Sequence, residues 1–356
     1  MSAGRKSSRK RTCPAGIECA ADAIRIVQVD RPGGGSVRTA ARIGFDPDRG
    51  EVDLGELRRM TRHMSGRRCV VSPPRQDVVV RPARLPRLAD VEFREAVRWE
   101  AAEMLGCNAE ELVTEPLVVT RDVEEDGRLD VLIVASSIAS IEKTLEPLLS
   151  VGLLPIAVEP SFLAAGRAYA ARTRRKADIP VVRAVVEVGS DASSMVVMAG
   201  DHAVFAKTIE FGGRDFDRAV SERLGMEVDV AKALRRDAAA GRVDAELARP
   251  LQDATRRVAD ELAGEVAMSL RYVAVAARLG SVAVLHLCGE EAETPGLEDA
   301  ISAVCRGVPV QREPSVEDRL GEAVAIAGGT KSEWAVATGL ALRPFGRNEQ
   351  RRRDAA

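Results

Sequence analysis

The chain has 356 residues, of which 46% are hydrophobic, and a formal net charge of -2, enough apolar material for two sizeable cores and no overall basicity to argue for nucleic-acid binding. Aromatics make up only 3%, which leaves little to stack on bases. The six cysteines (Cys13, Cys19, Cys69, Cys107, Cys288, Cys305) form no C-x-x-C pair, and His63, His202 and His286 stand apart from any cysteine cluster except at the His286/Cys288 strand end; this predicts reduced packing thiols and argues against structural zinc.

In chain order, residues 1–12 form a basic tail with Arg5, Lys6, Arg9, Lys10 and Arg11, expected to be solvated and disordered. A first hairpin follows: Gly16 to Ala20, then Ala23 to Val29, then a Gly33-Gly34-Gly35 turn into Val37–Phe45. Its first strand ends in an acid, Glu18, and a tight turn of small residues. A helix is expected about Leu54–Met64, a strand at Arg68–Ser72, and a turn at Pro73-Pro74. Residues 81–159 read as a small inserted unit of a helix Val91–Leu105, strands Leu112–Arg121 and Leu129–Ala135 joined by Glu124-Glu125-Asp126-Gly127, and a helix Ile138–Ser150. The first domain is assigned 13–80 with 160–180, the latter containing a helix Ser161–Arg175. The second domain is assigned 181–343.

That second domain opens on a copy of the first device: Val185-Val186-Glu187-Val188-Gly189, Ser194 to Met198, a Gly200-Asp201 turn and Ala203–Ile209, closing on Gly212-Gly213. Helices from Gly212, around Val228–Ala240 and over Ala245–Leu279 come next, then a strand Val282–Leu287, the turn Cys288-Gly289-Glu290 and a helix Gly296–Cys305. Alternating β-branched and small residues bounded by Gly, Asp and Pro are the ordinary signal for strands joined by short turns. Repeated once per half, they predict two duplicated domains facing one cleft. There the backbone N–H groups of both turns can converge on phosphate oxygens while the acids hold a metal through water. Any α/β protein contains several hairpins, so the order of elements decides.

On that order the sequence resembles the PilM family, the actin-like cytoplasmic proteins of type IV pilus assembly. Beyond the hairpins, the resemblance rests on Leu85-Pro86 with Ala96-Val97-Arg98-Trp99-Glu100-Ala101; Val131-Leu132-Ile133-Val134-Ala135 leading to Val151-Gly152-Leu153-Leu154-Pro155; Glu265 with Ser269-Leu270-Arg271-Tyr272; and Ala337-Thr338-Gly339-Leu340-Ala341-Leu342-Arg343. It runs colinearly from about Ala15 to Arg343. It implies an α/β, actin-like (ASKHA) duplicated two-domain fold with a small subdomain of the PilM/FtsA type at the insert. It also implies that a groove between the insert and the first domain receives the cytosolic N-terminal tail of a PilN-like inner-membrane protein, with Arg81, Arg84 and Arg87 as candidates for the rim.

The same resemblance places an ATP and magnesium site at Glu18, Ala20, Arg25, Glu187, Gly189, Ser193, Gly212, Gly213, Lys232, Gly289 and Glu290, with Glu18 and Glu187 holding Mg through water. The first turn departs from the usual Asp-x-Gly with hydroxyls and a Lys: Ala20 adds a methyl where a phosphate would approach, and Asp22 adds a carboxylate. Losing two hydrogen bonds to charged oxygens, each about 1.5–3 kcal/mol, predicts weak or lost ATP binding. No acid stands out as a catalytic base, so no catalytic residue is assigned.

The resulting expectation is a cytoplasmic scaffold held beside the inner membrane by its partner, since no apolar run approaches a membrane span and no signal core opens the chain. Pilus motor or platform proteins and self-association are further partners the resemblance leaves open. The alternatives are a nucleotide-switched ATPase, an FtsA-like filament protein, or the cytoplasmic part of a GspL-type secretion protein. The polar tail 344–356 lacks the amphipathic membrane helix of FtsA and the membrane span into which GspL normally continues.

Overall fold

The computed structural model describes residues 13–31, 35–45, 52–119, 127–170, 181–276, 281–312 and 318–344. The basic tail 1–12, residues 345–356 of the polar tail, Gly33-Gly34, Glu124-Glu125-Asp126 and Arg174–Asp178 lie outside these residues.

The first lobe is built from β1 (Ala15–Cys19), β2 (Ala23–Val29), β3 (Val37–Gly44), α1 (Leu54–Thr61) and β4 (Arg68–Ser72). Asp53 caps α1 by accepting from the N–H groups of Gly55 and Glu56, the usual use of a short acid at that position. The chain then leaves the lobe for the insert: β5 (Val79–Pro86), α2 (Asp90–Leu105), β6 (Leu112–Val118) and β7 (Arg128–Ser137), a three-stranded sheet in the order β5-β7-β6. Pro82 and Pro86 in β5 and Pro116 in β6 are tolerated because both strands are edges. Leu85, Val97, Ala101, Ala102, Leu112, Val131 and Ile133 make the insert's own core.

Helix α3 (Ile138–Ser150), capped by Ser137, and β8 (Leu154–Val158) return to the first lobe. β8 pairs parallel with β4, and Leu148 of α3 is buried with Ile17, Ile24 and Leu57. The expected insert of 81–159 is therefore too long. It spans β5 to β7, because α3 and β8 complete the first lobe's sheet and its outer layer.

The second half continues with α4 (Ser161–Ala168), β9 (Val182–Val188), β10 (Ser193–Ala199), β11 (His202–Ile209), α5 (Gly213–Leu224), α6 (Val228–Ala239) and α7 (Ala245–Ala276). It ends in β12 (Val284–Cys288), α8 (Leu297–Val304), β13 (Val310–Gln311), α9 (Arg319–Ala327) and α10 (Ala335–Ala341); β13 and α9 had no counterpart in the sequence reading. The two large sheets have matching orders, β3-β2-β1-β4-β8 and β11-β10-β9-β12-β13. In each, two antiparallel pairs are followed by two parallel ones. The duplication expected from the hairpins is thus present strand for strand. β1, β2, β9 and β10 are buried on both faces, which is why they read as nearly continuous Val, Ile and Ala.

Two helices change sides. α4, entered from the first lobe, packs on β9 and β10; α10, at the end of the second half, packs on β1 and β2, and α9 on β3. Assigning 160–180 to the first domain and everything to 343 to the second is accordingly corrected, since each sheet is covered by a helix from the other half. α4 and α10 touch where Gly339 meets Ala164: a Cβ on Gly339 would strike the Ala164 carbonyl, whose carbon would lie 2.5 Å away. Gly16 of β1 has the same relation to α10, with Leu340 Cβ at 2.7 Å from the position of a Cβ.

Backbone atoms cannot yield as side-chain ends can. Gly339→Ala is expected to destabilise the fold by about 2–4 kcal/mol in denaturant titration. Gly264→Ala, where nothing lies within 4 Å of a Cβ in the middle of α7, is expected to be neutral or stabilising by up to about 1 kcal/mol. Equal effects at the two positions would refute the crossing contact.

Candidate functional site

The equivalent ends of β1 and β9 face each other across the lobes. In the first hairpin Glu18 is the cross-strand partner of Arg25 and lies beside Ser72 of β4; in the second, Glu187 is the cross-strand partner of Ser194 and lies beside Cys288 of β12. Both acids are buried, Glu18 at 4% and Glu187 at 1% exposure. A buried carboxylate persists only when paired, and the partners come from both lobes.

Arg25, 1% exposed, lies 3.6 Å from Glu18 and crosses the cleft to Glu290 at 2.9 Å. Arg75, on the short 3-10 turn after Pro73-Pro74, crosses to Glu187 at 2.5 Å and approaches Glu18 at 3.7 Å. The hydroxyls of Ser161 and Ser194 donate to the other Glu187 oxygen at 2.7 and 2.9 Å. Glu290 accepts from both the backbone N–H and the hydroxyl of Ser190, at 2.6 and 2.7 Å. At the rim, Asp22 meets Arg42 at 3.1 Å and Arg236, from the second lobe, at 3.3 Å.

The charges in this cluster shift one another. Burial pushes the Glu18 carboxyl up to about 8; Arg25 and Arg75 pull it back only in part, and Glu187 and Glu290 add to the rise. Its Oε2 is buried without a hydrogen-bond partner, consistent with a neutral carboxyl at neutral pH. Burial and a hydrogen bond with Glu290 raise Asp22 to about 6. Burial alone would raise Glu290 as well, but the bond from Asp22, the nearby Arg25 and Arg75 and the Ser190 donors hold it well below the usual carboxylate range.

The remaining expected residues are distributed as follows. Ala20 closes the first turn by donating from its N–H to the Ala23 carbonyl. Gly189 leaves room for Arg75, whose Cζ would lie 2.5 Å from a Cβ there. Gly212 and Gly213 open α5, and the Gly213 N–H donates to the Gly189 carbonyl at 2.8 Å. Gly289 links its N–H to the Ser332 carbonyl at 2.9 Å. Ser193 is not a cleft hydroxyl: it donates to the Phe211 carbonyl at 2.6 Å, and the hydroxyls that meet the acids are those of Ser161, Ser190 and Ser194.

Lys232 is half-buried on α6 and takes no part in the network described. The cation that α6 sends inward is Arg235, bound to Asp217, Glu291 and Thr294 and to the Gly213 carbonyl. Arg75, Arg235, Asp217 and Glu291 were all missed in the sequence. Arg75 had a signal, since it follows the end of a strand parallel to the acidic one, where α/β sheets gather their functional groups; Arg235, inside an Arg-Arg pair, reads as solvated. Among the described residues no group of three or more His, Cys, Asp or Glu is arranged to hold a metal ion.

The rim candidates lie on the insert. Arg81 and Arg84 are exposed on β5, Arg84 3.7 Å from Asp130 of β7, and Arg87 is exposed just beyond the strand. Helix α2 buries Val97, Ala101 and Ala102 but leaves Val91 at 71% and Trp99 at 70% exposure, together with exposed Met104.

Two sheets of like topology, a cleft between their acidic hairpin ends and helices exchanged beneath it define an actin-like protein. Residues 54–345 match the sequence profile described as Type IV pilus assembly protein PilM, and the chain belongs to that family. Among solved structures it is similar to a PilM-PilN type IV pilus biogenesis complex, at 23% identity over 94% of this chain and 100% of that one, with a TM-score of 0.75. It is also similar to the ethanolamine utilization protein EutJ from Carboxydothermus hydrogenoformans, at 12% identity over 94% of this chain and 91% of that one, with a TM-score of 0.53.

The raised Glu18 carboxyl makes a signed prediction. A carboxyl whose folded pKa exceeds its unfolded value of 4.5 stabilises the fold fully below that unfolded value, and the contribution is lost as pH rises through about 8. Glu18→Gln keeps the neutral shape at every pH. Relative to the wild type, the variant is expected to gain about 2–4 kcal/mol of unfolding free energy between pH 5 and pH 9. Parallel pH profiles for the two proteins would contradict a neutral Glu18.

Proposed function

We propose that this type IV pilus assembly protein acts as a scaffold beside the inner membrane by receiving the cytosolic N-terminal tail of a PilN-like membrane protein at its insert. Membership of the PilM family over residues 54–345, alongside likeness to a chain solved as a PilM-PilN complex, is the observation that carries this reading. The insert supports it physically. It is a small unit with its own core, attached to the body at one end of its sheet by the start of β5 and the end of β7, and it exposes Arg81 and Arg84 on its edge strand β5 and Arg87 just beyond. An extended tail can take backbone hydrogen bonds from an edge strand or lie along a groove, while guanidiniums at the rim select acidic or carbonyl-rich segments. No helix among the described residues is long and apolar enough to cross a membrane, so in this reading attachment to the membrane comes through the partner.

The test is fluorescence anisotropy of a labelled synthetic peptide of the PilN-like tail titrated with the full chain. Saturable binding is expected, and combined Arg81→Glu, Arg84→Glu and Arg87→Glu should weaken it at least about tenfold without lowering the unfolding midpoint. A peptide that does not bind refutes the tail reading. Binding unchanged by the triple substitution moves the contact away from this rim.

A further inference from the structure

The fold implies a nucleotide whose phosphates approach the turns after β1 and β9, with magnesium beside Glu18 and Glu187. In the arrangement found here the residues present do not fit that ligand. The N–H and hydroxyl that Ser190 could offer a phosphate are both taken by the Glu290 carboxylate. The space above Gly189 is filled by the Arg75 guanidinium. Both expected magnesium acids are buried against guanidiniums rather than open to hydrated metal. On the side where α5 and α6 meet the turn after β12, Arg235 is bound to Asp217, Glu291, Thr294 and the Gly213 carbonyl.

We infer that Glu290 stands in for a phosphate and Arg25 and Arg75 for the cations that would accompany it, so that an internal ion cluster clamps the two lobes without a nucleotide. A carboxylate presents two oxygens to a donor pair much as a phosphate does. Among the described residues three ion pairs cross the cleft: Arg25 to Glu290, Arg75 to Glu187, and Arg236 to Asp22. The first two are desolvated, so taking one partner away leaves the other charge buried and unpaired, which favours opening. Gly189 is the local condition for the clamp, since any side chain there would displace Arg75. The inference rests on the actin-like fold and not on tail recognition, and its test uses no tail peptide.

The test compares the full chain with Glu290→Ala, using Mg-ATP and inorganic pyrophosphate as probes. Millimolar Mg-ATP is expected to move the wild-type unfolding midpoint by less than about 1 °C. In Glu290→Ala, amide exchange at Ala20–Asp22 and at Ser190 is expected to speed up by at least about tenfold, with the insert unchanged. Millimolar pyrophosphate, set against sodium chloride at matched ionic strength, should raise the variant's midpoint by about 3 °C or more and restore the lost protection, while leaving the wild type unmoved. A rise of several degrees in the wild type with Mg-ATP overturns the inference. So does wild-type exchange in the variant, or the absence of pyrophosphate rescue. If Glu290→Ala does not fold, Glu290→Gln, which keeps an acceptor for Ser190 but removes the charge facing Arg25, is read by the same measures with a smaller expected loss.

Discussion

The contact on which the rest of the molecule depends is the close crossing of α4 and α10 at Gly339 and Ala164. Each helix covers the sheet of the other half: Phe162, Ala164 and Ala165 share a continuous core with Val185 and Val196, and Val336, Ala337 and Leu340 with Val27 and Val70. Neither lobe therefore has a complete core from its own contiguous sequence. The crossing point also fixes how near the ends of β1 and β9 come to one another, because both strands rest on this helix layer. With a larger residue at Gly339 or Gly16 the layer would thicken, and the side chains that meet across the cleft would lose reach. Close packing of small residues beneath and ion pairing above are two consequences of one separation.

The duplicated hairpins then differ at a single telling place. Opposite its acid the second hairpin carries Ser194, which hydrogen-bonds Glu187 within its own lobe; the first carries Arg25, which can reach beyond Glu18 to Glu290 in the other lobe. A serine at the first position would take from Glu290 its bonded countercharge, leaving the Ser190 donors, the bond with Asp22 and the more distant Arg75. The arginine converts a local strand pair into a bridge between lobes. Arg75 repeats the device from β4, and the two guanidiniums face the two strongly partnered carboxylates, Glu187 and Glu290. Glu18, squeezed between them by burial, is the acid whose proton is retained.

Much of this was legible along the chain. Fully buried strands announce themselves as runs of Val, Ile and Ala between small-residue turns, and the repeated acidic strand end predicted both the duplication and the cleft. Helix α3 was expected over Ile138–Ser150 and is found there, its first turn capped by Ser137. What escaped notice depends on distant partners. Leu154-Pro155-Ile156 looks like a connection until β4 is there to pair with it. The exchange of α4 and α10 has no local mark, since Gly339 in a helix reads as a weak spot and not as a contact. Arg75 and Arg235 look like ordinary surface charges, and their partners lie 112 and 56 residues away in Glu187 and Glu291. The sequence marked Ala20 and Asp22 as departures from the usual phosphate turn. That the altered site would be filled from within could not be read without the fold.

The position of Arg75 ties the cleft to the insert. The short turn that carries Arg75 ends at Asp77, whose carbonyl accepts from the Ser136 hydroxyl at 2.7 Å, and β5 begins at Val79. Ser136 lies at the end of β7, so both strands through which the insert joins the body are fastened within a few residues of a guanidinium held in the cleft. β5 and β7 also lie beside β11, the edge strand of the second sheet. The backbone that carries Arg75 is thus bonded to the root of the insert and lies within two residues of it. Beyond this root the insert exposes Arg81, Arg84, Arg87 and Trp99. The ion pairs between the lobes and the attachment of the insert therefore meet in one short stretch of chain, from Arg75 to Val79.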